Sequence, residues 1–272
     1  MIVCTLGDAL LDVIVQPERP LAEGDDVPSS AHLGAGGQAA NVAAWAVELG
    51  AQGRVIAKRA DDAGGRLVLA ELGARGVEQV GPVATGRCGI VVSLLGPDGE
   101  RSLFSDRGVS ASLRAEELEM DWLRGCDVLH LSGYALLTRP MDEAGAKAAG
   151  AAHMQGARIS VDLGAAAAIG EFGPDRLLVR LEQLEPDVVF AREEELQAIV
   201  REPPAPTLVV KRGARGCTVI EDGRSSDYDA APAAVLDTTG AGDAFAAGFL
   251  VGGPELAVAA AARCVSRLGA MP

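Results

Sequence analysis

The sequence predicts an α/β protein: a mostly parallel central sheet with helices on both faces, and a small strand-rich flap beside it. Three observations carry that expectation. Short apolar β-type runs alternate with alanine-rich helical stretches along most of the chain, as in βαβ units. Two stretches, roughly 13–33 and 89–103, break the alternation and have no adjacent helix to make such a unit. Two glycine clusters, at 34–37 and 240–242, each lead directly into a helix.

Taken in order, residues 2–6 read as a buried strand and 38–49 as a helix closed by Gly50. A strand at 54–57 and a helix at 65–72, ending at Gly73, come next. Then come a strand at 128–131, a helix at 142–154 and a strand at 158–161. A helix at 174–184, a strand at 188–190 and a helix at 193–200 continue the alternation. Strands at 207–210, 217–220 and 234–236 and helices at 242–250 and 255–268 close the chain. In the second irregular stretch, Ile90-Val-Val-Ser-Leu-Leu95 and Glu100-Arg-Ser-Leu-Phe104 flank Gly96-Pro-Asp-Gly99, a turn sequence that predicts a β-hairpin. The proline-rich 202–206 reads as a loop between helix and strand. A single domain over 1–272, with the flap inserted in it, is expected. A chain of 272 residues buries roughly 70–75% of its unfolded surface and needs no disulfide or structural zinc to fold.

Composition narrows the function. Hydrophobic residues make up 49% and charged residues 23%, which excludes a disordered or collagen-like chain. No apolar run is long enough to cross a membrane, and the start lacks the basic region of a signal peptide. The net charge of −14 argues against nucleic acid as the partner. Five scattered cysteines without a CxxC fit a reducing, cytoplasmic setting. His32, His130 and His153 lack zinc-site spacing. Neither a Walker A sequence nor a GxSxG elbow occurs, so a P-loop kinase and an α/β-hydrolase are both disfavoured.

Four segments could carry chemistry. The first is Asp237-Thr-Thr-Gly-Ala-Gly-Asp-Ala-Phe245. Gly240 and Gly242 allow a tight turn and close backbone approach, and the open N–H groups of the next helix make an anion site. Asp243 at that point is placed either to deprotonate a hydroxyl attacking a bound phosphoryl group or simply to cap the helix. The residue types leave both open. The second is Gly34-Ala-Gly-Gly-Gln-Ala-Ala-Asn41, where Gly36 and Gly37 permit close approach and Asn41 offers a donor and an acceptor to a hydroxylated ligand. The same letters fit a dinucleotide GxGxxA, but Asp61 comes too late for that fingerprint. The third is Val209-Val-Lys-Arg-Gly-Ala-Arg-Gly216, a strand and glycine turn that could meet phosphate or be a solvated hairpin. The fourth is Glu193-Glu-Glu195, an ordinary helix start.

Together these motifs resemble the PfkB, or ribokinase-like, family of carbohydrate kinases. The segment 237–245 is similar to that family's C-terminal pattern, Gly36-Gly-Gln-Ala-Ala-Asn41 to its GGxxxN, Gly7-Asp-Ala-Leu-Leu-Asp12 to its first-strand G[DE]xxxD, and Lys211-Arg-Gly-Ala-Arg-Gly216 to its KxGxxG turn. The resemblance implies a ribokinase-like three-layer α/β/α fold, with the flap as a lid that closes over the sugar and, in many members, pairs with a second subunit; a monomer with a flap too short to pair is the alternative. It implies an ATP-dependent phosphotransferase acting on a small sugar or sugar derivative. In it Asp243 is the catalytic base, and Gly240, Ala241 and Gly242 form the anion hole. Asp12, Gly36, Gly37 and Asn41 hold the sugar. Gly213 and Gly216 border the nucleotide, with Lys211 nearby. Glu195 acts through water near Mg²⁺, and Asp237 meets a monovalent cation such as K⁺. Two departures stand out. Arg192 replaces the Asn of the family's NxxE, and Leu10 stands where ribokinases proper carry the Asn that precedes the sugar-binding Asp. The second points away from ribose, toward another furanose, a sugar acid or a nucleoside. The chain is also shorter than most members, which suggests a trimmed nucleotide side. A nucleoside kinase of the same fold, with Phe104, Trp122 or Tyr134 as base platform, and a non-catalytic sugar or nucleotide sensor are the alternatives.

Overall fold

The computed structural model describes residues 1–22, 24, 26–96, 101–199 and 201–272. In chain order its strands are β1 (Ile2–Leu6), β2 (Leu10–Pro17), β3 (Ser29–Gly36), β4 (Gln52–Ile56), β5 (Arg59–Ala60), β6 (Glu78–Val80), β7 (Val83–Ala84), β8 (Ile90–Leu95), β9 (Arg101–Asp106), β10 (Val128–Leu131), β11 (Arg158–Asp162), β12 (Val188–Arg192), β13 (Thr207–Lys211), β14 (Cys217–Glu221) and β15 (Arg224–Tyr228). Its helices are α1 (Gln38–Glu48), α2 (Ala63–Ala74), α3 (Gly133–Leu136), α4 (Met141–Met154), α5 (Ala166–Phe172), α6 (Pro174–Leu184), α7 (Glu193–Gln197), α8 (Ala241–Gly252) and α9 (Pro254–Val265).

Strand alternation explains the layers. The main sheet runs β15-β14-β13-β12-β11-β10-β1-β4-β6, parallel except for the β13–β14–β15 edge. Val3, Val128, Val188, Phe190 and Val209 point to one face, against Trp45 of α1, Phe245 of α8 and Ala257 of α9. Cys4, Leu129, Ile159, Val161, Val189 and Leu208 point to the other, against Met141 and Ala148 of α4 and Leu177 and Leu181 of α6. Strands covered on both faces read as continuous apolar runs, and for that reason they are visible in the sequence. Strand order reverses between β1 and β10. Such a switch point leaves a crevice at the carboxyl ends of the strands, where ligands of open α/β sheets bind.

The second sheet has the order β3-β2-β8-β9, with β2 and β8 parallel and the outer pairs antiparallel. It takes up the irregular stretches but begins earlier: β2 starts at Leu10, so Asp12 lies on this sheet, and β3 runs to Gly36, directly before α1. Residues 97–100, which hold most of the expected hairpin turn, lie outside the described residues. No helix among the described residues is long and apolar enough to cross a membrane. All five cysteines are buried and free.

Several expectations need correction. Residues 234–236 form no strand: Val235 and Leu236 are largely exposed, and the Leu236 N–H donates to the Val265 carbonyl at the end of α9 instead of to a sheet neighbour. The edge strand is β15, whose Arg-Ser-Ser-Asp-Tyr carries no apolar alternation to announce it. The expected 193–200 helix stops at Gln197, and Val200 lies outside the described residues. The last helix ends at Val265, not at 268.

The tail after α9 is built into the protein. The Gly269 N–H donates to Asp237 Oδ2 at 2.9 Å, and the Ala270 carbonyl accepts from the Trp45 indole at 2.8 Å. Trp45 is fully buried, and the guanidinium groups of Arg263 and Arg267 each lie 5.6 Å from its ring. Trp45→Phe should therefore lower stability by about 2 kcal/mol, through lost volume and an unpaired carbonyl. A denaturant midpoint that falls with an unchanged m-value checks this.

Candidate active site

The crevice is built by chain ends of two kinds: helix N-termini and the carboxyl ends of parallel strands. Gly37 starts α1 with φ +96°, and a Cβ there would lie 2.5 Å from the Asp8 carbonyl oxygen. On Gly36 a Cβ would collide with the Asp12 carboxylate. One glycine thus lets the chain turn against β1's exit, and the other makes room for a side chain. Gly240 starts α8 in the left-handed region, φ +75°, and a Cβ there would strike Ala270 at 2.5 Å. The C-terminal tail thus packs against the turn that opens α8.

Asp243 sits in the first turn of α8, three residues past the Gly240 cap, and does not cap its own helix. Its Oδ2 accepts from Asn41 Nδ2 at 2.7 Å, joining α8 to α1. The capping alternative is therefore excluded by geometry. Burial pushes the Asp243 carboxyl up to about 7, the Asn41 bond and Lys211 pull it down, and Asp162 and Asp12 push it up further. Asp12 is likewise pushed up to about 6, by burial and by the nearby Asp237 charge. The other polar atom of the Asn41 amide, Oδ1, is buried without a partner, a group that costs free energy until something donates to it.

Other charges here are matched. Asp8 is buried and gripped by the Arg107 fork, Nε to Oδ2 at 2.9 Å and Nη2 to Oδ1 at 3.1 Å, with Ser110 Oγ adding a third bond at 2.9 Å. Arg107 comes directly after β9 and also donates to Thr138 Oγ1 at 2.7 Å, so it ties the second sheet to the main one. Lys211 Nζ donates to Asp162 Oδ2 at 2.5 Å and lies 3.5 Å from the Cβ position of Gly242. Asp237 accepts from Thr239 N and Oγ1 at 2.8 and 2.5 Å and from Gly269 N. A monovalent cation there would share a carboxylate already hydrogen-bonded to its own turn.

The structure thus brings together Asp12, Gly36, Gly37, Asn41, Lys211, Asp237, Gly240, Ala241, Gly242 and Asp243. Gly213 and Gly216 lie in the turn beyond Lys211; Gly216 has φ +81° and no room for a Cβ beneath the Tyr228 carbonyl. Glu195 is fully buried, and both its oxygens accept from Arg192, from the backbone N at 2.8 Å and from Nε at 2.7 Å. Arg in place of Asn turns this carboxylate into an ion-paired cap of α7. Among the described residues no group of three or more metal-ligating side chains occurs.

Sequence alone assigns no role to Asp8 or Asp162. Asp8 lies inside the first-strand motif, and Asp162 ends an apolar strand at its carboxyl end, which is the available signal for both. Of the expected base platforms, Trp122 packs against the core before β10. Phe104 pairs in register with Val92, one residue out of step with Asp12 and Val91, and so lies on the opposite face of its sheet from Asp12.

Comparison with known proteins identifies the family. Residues 2–271 match the family described as pfkB family carbohydrate kinase. An ATP-dependent ribose-1-phosphate kinase of Halopiger xanaduensis is 29% identical over 91% of this chain and 83% of its own length. A fructokinase of Escherichia coli is 30% identical over 92% of this chain and 83% of its own. The crystal structure of adenosine kinase from Sinorhizobium meliloti superposes with a TM-score of 0.89, at 24% identity, over 99% of this chain and 95% of that one. With its motifs gathered at one crevice and a family match over nearly its whole length, this chain belongs to the pfkB family of carbohydrate kinases, enzymes of ribokinase-like fold.

Proposed function

We propose that this enzyme transfers the γ-phosphoryl group of ATP, supplied as its magnesium complex, to a hydroxyl of a small neutral sugar or sugar-derived polyol. The observation that carries the reading is Asp243, a buried carboxylate held by Asn41 at the open N-terminus of α8. The acceptor hydroxyl gives its proton to Asp243 as its oxygen forms a bond to the γ-phosphorus. The bond from phosphorus to the β–γ bridging oxygen breaks, and ADP leaves with that electron pair. The N–H groups at Gly240, Ala241 and Gly242 face the charge on the transferring group. Asp12, Gly36, Gly37 and Asn41 bind the acceptor, and the unpartnered Asn41 Oδ1 takes a hydrogen bond from one of its hydroxyls. Lys211, Gly213 and Gly216 lie on the nucleotide side.

Charge supports a neutral acceptor. Asp12 and Asp243 are both pushed upward, while Arg107 is committed to Asp8 and Lys211 to Asp162. An acceptor carrying phosphate or carboxylate would face the two carboxylates, with Arg107 gripped by Asp8 and Lys211 turned to the first turn of α8, on the nucleotide side. The second sheet is read as a lid, since it carries Asp12 and is tied to the crevice by Arg107. On the face away from Asp12, Leu33, Val13, Val92 and Phe104 form one row, with Leu33 and Phe104 about 60% exposed. That apolar row is read as the seat of a second copy of the chain.

The reading is tested on turnover, on pH and on assembly. ADP release should depend on a neutral sugar in a panel that also includes sugar acids, sugar phosphates and nucleosides. Asp243→Asn should lower kcat by about 10²–10⁴-fold, and wild-type kcat/KM should climb with pH through an apparent pKa near 7, because the base must be deprotonated. Stability should run the other way. The folded Asp243 and Asp12 hold protons that the unfolded chain releases above its pKa of 3.8, so charging them costs stability as pH rises from about 4 to about 7. Asp243→Asn should accordingly melt several degrees above wild type at pH 8, with the gap closing toward pH 4, as thermal unfolding would register. Wild type should sediment as a dimer, and Leu33→Asp with Phe104→Asp as a monomer.

A further inference from the structure

Two cationic side chains end neighbouring strands at the crevice, paired in register on β12 and β13: Arg192 and Lys211. Arg192 is half exposed and engaged with Glu195 and the Gly164 carbonyl. Lys211 is mostly buried, and its ammonium stands beside Gly242 in the first turn of α8. That is the wrong end of a helix for a cation. The dipole and the open N–H groups there repel positive charge and attract negative charge. What holds Lys211 there is Asp162, a buried carboxylate at the end of β11 whose Oδ2 takes the ammonium and whose Oδ1 accepts from the Gly164 N–H at 3.2 Å. A buried ion pair aimed at an anion hole is suited to receiving an anion.

We propose that Asp162 is a positioning residue for phosphoryl transfer: it holds the Lys211 ammonium at the mouth of the α8 N-terminus, where an incoming polyphosphate shares it. This inference rests on the kinase reading above. An ammonium has three donors, so Lys211 keeps Asp162 with one N–H and meets a phosphate oxygen with another. The phosphate is then bounded by backbone N–H groups on one side and by Lys211 on the other. The same pair bears on the base. Asp243 faces Asn41 from α1, Asp12 from β2, Asp162 from β11, Lys211 from β13 and the Cys264 thiol from α9. His130 of β10 also faces the pair; burial pushes it down to about 4, so it is neutral in the working range. Asp162 and Lys211 act on Asp243 with opposite signs.

The test uses the full chain and the variants Asp162→Asn, Asp162→Glu and Lys211→Met, with calorimetric ATP titration, kcat and KM, and the acid limb of kcat/KM. Asp162→Asn should bind ATP within about threefold of wild type yet lose about tenfold or more in kcat, with its acid limb moved to lower pH. Lys211→Met should lose about tenfold or more in ATP affinity, and its acid limb should move to higher pH. Asp162→Glu, which keeps the charge, should recover most of kcat. Acid limbs moving the same way in Asp162→Asn and Lys211→Met, or wild-type kcat in Asp162→Asn, would overturn the proposal. If Asp162→Asn fails to fold, Lys211→Met and Asp162→Glu decide: an unmoved limb in the first or an unrecovered kcat in the second rejects it. A wild-type chain that binds ATP but transfers nothing would sink the kinase reading instead. The titrations would then decide the inference alone, with equal affinity losses in Asp162→Asn and Lys211→Met counting against it.

Discussion

The site depends on one hydrogen bond, Asn41 Nδ2 to Asp243 Oδ2, which spans 202 residues of sequence. It fixes the N-terminus of α1 against that of α8, so that two helices on one face of the sheet open toward the same crevice. A buried carboxylate without a donor would be strongly disfavoured. With one donor and no matched cation of its own, Asp243 stays ionisable near neutrality. The glycines around it are required by the same approach. Gly37 must pass the Asp8 carbonyl and Gly240 must pass Ala270, and at both places a side chain would push the helix starts apart.

Around that bond the carboxylates divide by whether they have a cation. Asp8 has Arg107, Glu195 has Arg192 and Asp162 has Lys211. Breaking a buried pair leaves one charge stranded, which costs more than forming the pair gained; these six side chains therefore act as rigid joints between strand ends, the second sheet and α7. Asp12 and Asp243 have no such partner, and both are pushed up by burial. One sits on β2 of the second sheet and the other in the first turn of α8, close enough for the Asp12 charge to act on Asp243.

Most of the main sheet is legible in the sequence because its parallel strands are apolar on both faces. The site is legible for a related reason: glycine before a helix has a steric meaning that survives without coordinates. What escapes is set by long-range contact. Strand β15 has no apolar period, since one edge is unpaired and four of its residues are exposed. Residues 234–236 have the apolar letters of a strand but find their hydrogen-bond partner at the end of α9. Asp162 looks like any polar strand end until Lys211, 49 residues later, is seen to reach it.

Arg192 shows how a single letter alters the meaning of a motif. Three glutamates opening a helix could serve the helix dipole or a metal, and sequence alone does not choose. Arg192 ties the third of them to the helix start: its backbone N–H and Nε both reach Glu195, which closes a local capping arrangement. Of the two register partners, Lys211 rather than Arg192 stands beside Gly242 in the first turn of α8, held there by Asp162, and on the proposed mechanism it is the cation that meets the phosphoryl charge. Under that mechanism the burden of positive charge falls on the β13 end and the α8 backbone together, and Asp162 bears on the chemistry through its hold on Lys211.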